Sequence, residues 1–178
     1  MKYSLVSNDH LTFQLYTASQ SPFVARKRRL KRIIYPLSYI IFGMVFFYKA
    51  DYILTSIAMA VAVLWFVIYP FYSRRVYVRH FNKHIAEYYQ ERINIPGETS
   101  IVDDSLVFVS DNTEGRIVLS ELKSIIELKD HFLLQIDAGS AVILPKGNIE
   151  KTELDSFIEE LEKSAELSRL DKTSWVWK

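Results

Sequence analysis

The chain has 178 residues, 49% of them apolar and 14% aromatic, with a formal net charge of +1, a size that fits one or two domains. It has no cysteine, which excludes disulfides and thiolate chemistry. The average hides a segregation, because nearly every residue from Leu30 to Tyr72 is apolar while the charges collect in the flanks and the C-terminal half.

Residues 1–29 read as an N-terminal strand and an amphipathic helix. "KYSLV" alternates as a short strand does, and "NDHLTFQLYTASQ" reads as a helix capped by Asn8 or Asp9. Leu11, Leu15 and Tyr16 fall near one face of it, which suits either a membrane interface or the surface of a folded domain.

Residues 30–72 carry two apolar runs, about 30–48 and 52–72. A helix rises about 1.5 Å per residue and a bilayer core is about 30 Å thick, so one crossing takes roughly 20 residues. Each run is long enough, and Lys49, Ala50 and Asp51 separate them. Burying either charge at the bilayer centre would cost about 3 kcal/mol, so the interruption reads as the tip of a two-helix transmembrane hairpin. A soluble hairpin would show a polar face every 3.6 residues, and neither run has one.

The basic residues orient the hairpin. Arg26, Lys27, Arg28, Arg29, Lys31 and Arg32 precede the first helix, and Arg74 and Arg75, then Arg79 and Lys83, follow the second. By the positive-inside rule both termini are cytoplasmic, in a multi-pass protein of the plasma (cytoplasmic) membrane. The same cluster suits anionic lipid headgroups, and its place against a membrane helix argues for that partner and not for nucleic acid. Gly43, Ser56, Ala58, Ala60 and Ala62 are small enough to let antiparallel helices approach. Neither run carries a charged residue in its interior, which argues against an ion or proton pathway.

Residues 73–96 read as an amphipathic connecting helix, with Tyr77, Phe81, Ile85 and Tyr88 at helical spacing and an end before Pro96 and Gly97. His80, His84 and Glu87 have the spacing of a helix-borne metal site. The segment "HFNKH" lacks the glutamate of a zinc protease, however, and there is no cysteine to add, so no metal is expected.

Residues 97–167 change in texture. "TSIV", "SLVFVS", "GRIVLS", "FLLQID" and "AVILP" read as short strands, with reversals at "DNTEG" and "DAGS". They predict a small α+β domain, an antiparallel sheet or partly open barrel, closed by a C-terminal helix that places Leu154, Phe157, Ile158 and Leu161 on one face. Asp103, Asp104, Asp111 and Glu114 sit in predicted turns, where Asp is common for backbone reasons. There is no phosphate loop and no nucleophile elbow, so neither an enzyme nor a cofactor is expected. In the tail, 168–178, Trp175 and Trp177 are candidate membrane-interface anchors. Docking on the protein's own sheet or on a partner, and an edge strand, are the other readings.

The segments "IVLSELKSIIE", "DHFLL" and "VILPK", with the helix after them, resemble the C-terminal domain of the YcxB-like bacterial membrane proteins, and "DHLTFQLY" ahead of a hairpin resembles that family's N-terminal part. The resemblance implies a domain of pleckstrin-homology-like shape on a membrane hairpin and brings no catalytic residues. Pro145 reads as a strand terminator, with ligand contact by Lys146 as the second reading. The expected function is an integral membrane protein that anchors a small cytoplasmic, non-catalytic binding or scaffold domain, its partner being lipid, another protein or a second copy. The alternative is an accessory subunit of a membrane enzyme or transporter.

Overall fold

The computed structural model describes residues 1–110, 113–137 and 139–177, and these form two compact units. One joins Met1–Thr17 to Phe81–Val176, and the other holds Ala18–His80 with Trp177. Asp111 and Asn112 of "DNTEG", and Ala138 of "DAGS", lie outside the described residues.

Among the described residues four α-helices form: α1 (Ser7–Gln20), α2 (Pro22–Tyr48), α3 (Tyr52–Tyr88) and α4 (Lys151–Ser164). The α1 start is one residue ahead of the expected cap. Asp9 lies inside the first turn, and its Oδ2 reaches back to accept from Val6 N at 2.7 Å. The first long helix begins at Pro22 and not near Leu30. Ser21 caps it, its Oγ accepting from Val24 N at 3.4 Å, and Pro22 sits in the first turn, where a missing N–H costs nothing. The basic residues 26–32 are therefore on the helix itself. The second long helix is continuous through Pro70, so the expected connecting helix is its extension. It ends at Tyr88 and gives way to a 3-10 turn, Gln90–Arg92. Pro96 and Gly97, expected as helix terminators, open a strand instead.

Among the described residues eight strands make two sheets where the sequence suggests one. The first is β1 (Lys2–Ser4), β2 (Pro96–Val102), β3 (Ser105–Ser110) and β4 (Thr113–Val118), antiparallel in that spatial order. The β2–β3 connection is the two-residue pair Asp103–Asp104, both at positive φ (45° and 55°), as a hairpin turn of the primed type requires. Phe108 lies across from Gly115 on β4, and its ring fills the space that a β-carbon at Gly115 would need. The second sheet contains β5 (Ser124–Glu127), β6 (His131–Asp137), β7 (Ser140–Pro145) and β8 (Arg169–Asp171), in the spatial order β7-β6-β5-β8. Its β5–β8 pair is parallel, so part of the tail is an edge strand.

The second sheet is covered on both faces. Ile125, Phe132, Leu134 and Leu144 join Leu106, Leu119 and Leu122 in the main core, which α4 completes with Leu154, Phe157, Ile158 and Leu161. Ile126, Leu128, Leu133 and Ile143 point the other way and pack with Tyr16 and Phe13 of α1 and with Trp175. Double coverage explains why β5 and β6 read as unbroken apolar runs. Fully burying each of these side chains is worth about 1.5–3 kcal/mol, so α1 and the tail supply core to a unit that is otherwise small.

Candidate functional site

The helical unit is built along one seam. On α2, Arg28, Arg32, Pro36 and Gly43 recur at helical spacing, with Pro36 and Gly43 buried. On α3, Ala58, Ala62, Tyr69 and Ser73 are buried in the same way. The contacts run antiparallel. A β-carbon at Gly43 would meet the Ala58 β-carbon at 3.3 Å, Thr55 Oγ1 donates to Gly43 O at 3.3 Å, and the Tyr35 and Trp65 rings lie 5.1 Å apart. Small residues make the close approach near the tip, as the sequence leads one to expect.

The tip answers why charges interrupt the apolar runs. Lys49 ends α2, Ala50 takes a left-handed conformation (φ 57°), and the amides of Ala50 and Asp51 donate to Phe47 O and Phe46 O at 3.0 Å each, which together form a Schellman motif. Asp51 then caps α3, its Oδ1 accepting from Leu54 N at 3.1 Å.

The structure divides the basic cluster in two. Arg28 Nε donates to Ser73 Oγ at 3.0 Å, and its guanidinium lies over Trp177 (4.7 Å) and Tyr77 (5.8 Å). Arg32 lies over Phe66 at 4.2 Å. These two arginines are spent within the unit, whereas Arg26, Lys27, Arg29, Lys31, Arg74 and Arg75 are exposed. Trp177 is only 5% exposed, in contact with Arg28 and Tyr77, so this ring is packed on protein. Trp175 packs edge-on against Tyr16 at 5.3 Å. Neither candidate anchor presents a free ring.

In the sheet unit, four elements converge on Glu127 at the end of β5. Lys146 Nζ donates to its Oε1 at 2.7 Å, and Arg169 Nε and Nη2 donate to its Oε2 at 3.0 and 2.8 Å. Both cations also lie over the Phe132 ring, at 4.5 and 5.1 Å. Burial alone would raise the Glu127 pKa, but the hydrogen bonds and charges of Lys146 and Arg169 outweigh it and hold the carboxyl below its ordinary value. Lys146 is thus an ion-pair partner that ties β7 to β5 and β8. A second tie is buried: His131 Nε2–H donates to Asp9 Oδ1 at 2.8 Å, linking β6 to α1. Sequence reading passed over Glu127, Asp9 and Arg169 as chemistry. The signal was there for Glu127, which closes the "SIIE" segment, and for His131, which sits in "DHFLL".

The remaining candidates stand apart. Asp103 and Asp104 form the hairpin turn, Glu114 is exposed on β4, and Asp111 lies outside the described residues. His84 stacks on Tyr88 at 4.8 Å, Glu87 pairs with Lys83 at 3.6 Å, and His80 is exposed. Among the described residues no three His, Asp or Glu side chains are placed to hold a metal ion.

The sheet unit also contains a cavity of about 740 Å³. Its walls are Tyr3 and Leu5 at β1, the first residues of β2, Phe108 on β3, His10 and Phe13 of α1, Tyr89 and Glu91, and Gly139 with the run Ser140–Ile143 of β7. Burial pushes the Tyr3 phenol up, and its hydrogen bond with Thr99 Oγ1 (3.0 Å) opposes that.

Glu127, Phe132 and Lys146 of the ion-paired corner fall within the three sequence segments that carry the resemblance. Residues 102–161 match the family model of the YcxB-like protein. The YcxB-like segment covers about a third of the chain and runs from the end of β2 to the last buried leucine of α4, Leu161. It holds most of the main core but neither Asp9 nor Arg169, which lie outside the matched residues. No curated protein and no solved structure matches.

Proposed function

We propose that α2 and α3 are the two crossings of a membrane hairpin whose basic end faces the cytoplasm. On this reading the YcxB-like unit, pleckstrin-homology-like in shape, is a small non-catalytic binding or scaffold module held at the cytoplasmic membrane. The observation that carries it is the outer surface of the two helices. Both are long and apolar enough to span a membrane, and only 11% and 17% of their most apolar windows is buried. Ile34, Ile41, Phe42, Met44, Ile53, Val63, Leu64 and Phe71 are among many large apolar side chains left exposed. A water-soluble monomer rarely exposes a contiguous apolar patch above a few hundred Å², whereas hydrocarbon solvates such a surface at no cost.

At 27 and 37 residues the helices measure about 40 and 55 Å, more than the bilayer core needs. The excess lies at the end that carries the six exposed cations, each worth about 1 kcal/mol of attraction to an anionic leaflet. The non-catalytic reading is supported by the engagement of Lys146, whose ammonium is held by Glu127.

The test is labelling of single cysteines in intact cells, which the cysteine-free chain permits. Ala50→Cys is expected to react with an impermeant maleimide from outside and Ser164→Cys only after permeabilisation. Reaction of Ser164→Cys in intact cells overturns the orientation, and recovery of the chain in the soluble fraction overturns the membrane reading.

A further inference from the structure

Four strand edges close the two sheets, and they differ in how they are protected. β1 and β8 are three residues each, with Lys2 on one and Arg169 and Asp171 on the other. β4 carries Glu114 and Arg116. Short length and charge are the ordinary ways a protein keeps an edge from pairing with another chain. β7 has neither: it is six residues, Ser-Ala-Val-Ile-Leu-Pro, without a charge, hydrogen-bonded to β6 on one side only.

The open side of β7 borders the cavity. Gly139, Ser140, Ala141, Val142 and Ile143 all line it. Successive side chains of a strand point to opposite faces, so a wall made of consecutive residues is the strand's edge. The walls beyond are apolar and aromatic, with Leu5, Phe13, Phe108 and Ile117 among them. Charge on the lining is of one sign. Glu91 and Glu98 are there and no lysine or arginine is, among the described residues. Glu98 has Lys2 at 3.7 Å, which leaves Glu91 as the exposed carboxylate without an ion pair among the described residues.

We infer that this cleft binds an extended peptide, which adds as a strand to the β7 edge with apolar side chains at alternate positions and a basic residue toward Glu91. Main-chain hydrogen bonds to β7 supply affinity and the apolar walls supply selectivity. Four residues of strand span about 13 Å at 3.3 Å per residue, the length of edge that Ser140–Ile143 offers. The inference rests on the reading of the sheet unit as a binding module and names the class of partner.

The experiment pans the full chain, in detergent, against a displayed library of random linear heptapeptides. The expected result is enrichment of sequences with alternating apolar residues and a lysine or arginine. Their affinity should fall about tenfold or more in Ala141→Lys, which places an edge-guarding ammonium on β7, and the basic preference should be lost in Glu91→Lys. Arg116→Ala, on the β4 edge, should bind as the parent does. Each variant is accepted only if its melting temperature matches the parent's, and Ser140→Lys replaces Ala141→Lys if that chain does not fold. Absence of enrichment, or binding indifferent to both β7 and Glu91 variants, overturns the inference. Cysteine labelling reports separately on the membrane reading, so the two fail independently.

Discussion

Replacing Glu127 with glutamine keeps the shape of the side chain and removes its charge, which isolates the ionic part of the corner where β5, β7 and β8 meet. Glu127 accepts one hydrogen bond from Lys146 and two from Arg169. Charge-assisted bonds contribute about 1.5–3 kcal/mol when shielded. Here the side chains of Lys146 and Arg169 are 24% and 40% exposed, so both cations can be rehydrated in the variant. Discounted for that screening, the loss is about 1–2 kcal/mol in total. For a unit of this size that lowers the melting temperature by roughly 5–10 °C.

The pH dependence gives the test its sign. The folded-state pKa of Glu127 is depressed, so its contribution is fully present above the unfolded carboxyl pKa and is lost as pH falls through the folded value. Thermal denaturation of the full chain in detergent should therefore show a gap between parent and Glu127→Gln near pH 7 that narrows and closes as pH falls below the ordinary carboxyl range. A gap below about 1 °C near neutrality refutes the argument. So does one that persists undiminished in acid, which would make the corner a matter of packing and not of charge.

Three further substitutions test other joints. Asp9→Ala removes the acceptor for both His131 Nε2–H and Val6 N from a buried position, and should cost about 2–4 kcal/mol in denaturant unfolding. A cost under about 0.5 kcal/mol would mean the tie of α1 to β6 is ornamental. Gly43→Leu forces side-chain volume into the approach to Ala58 and should destabilise the helix pair by about 1–3 kcal/mol, read as a lower midpoint in a detergent-denaturant titration; an unmoved midpoint would deny the close packing. Ala50→Gly relieves a β-carbon in the left-handed region at about 1–2 kcal/mol, against the 0.5–1 kcal/mol entropic cost of glycine, so the same titration should show a small stabilisation.

What was legible in the sequence follows the physics of each signal. The two apolar runs and their separating turn were readable because run length, apolar composition and the charged interruption at Lys49–Asp51 are local properties of the chain. The α4 face was readable from its period. The start of α2 was missed because the basic run was taken as a flank, although Ser21 followed by Pro22 is a cap followed by a first-turn proline. The division into two sheets was missed because "SIIE" is four residues long, and a short strand buried on both faces has no alternation to show. The Glu127 corner and the Asp9–His131 pair are non-local, since they join residues up to 122 apart. No periodicity reports such a contact, and only the fold brings its halves together.

The corner also bears on how residues of separated segments are read. Glu127, Phe132 and Lys146 come from three separated segments, and the fold makes them one contact: a carboxylate sharing its oxygens between two cations that rest on a single ring. A pattern of that kind needs no substrate to explain it, since each member is held by another member. The same reasoning applies to the basic cluster. Eight residues look alike in the sequence, but Arg28 and Arg32 are engaged by Ser73, Trp177 and Phe66, which leaves six exposed. Neutralising those six should weaken association with anionic vesicles and leave the helix pair intact, whereas Arg28→Ala should loosen Trp177 and leave vesicle binding nearly unchanged. If Arg28→Ala and Arg26→Ala reduced vesicle binding equally while Trp177 fluorescence stayed the same, the division of labour between seam and surface would be wrong.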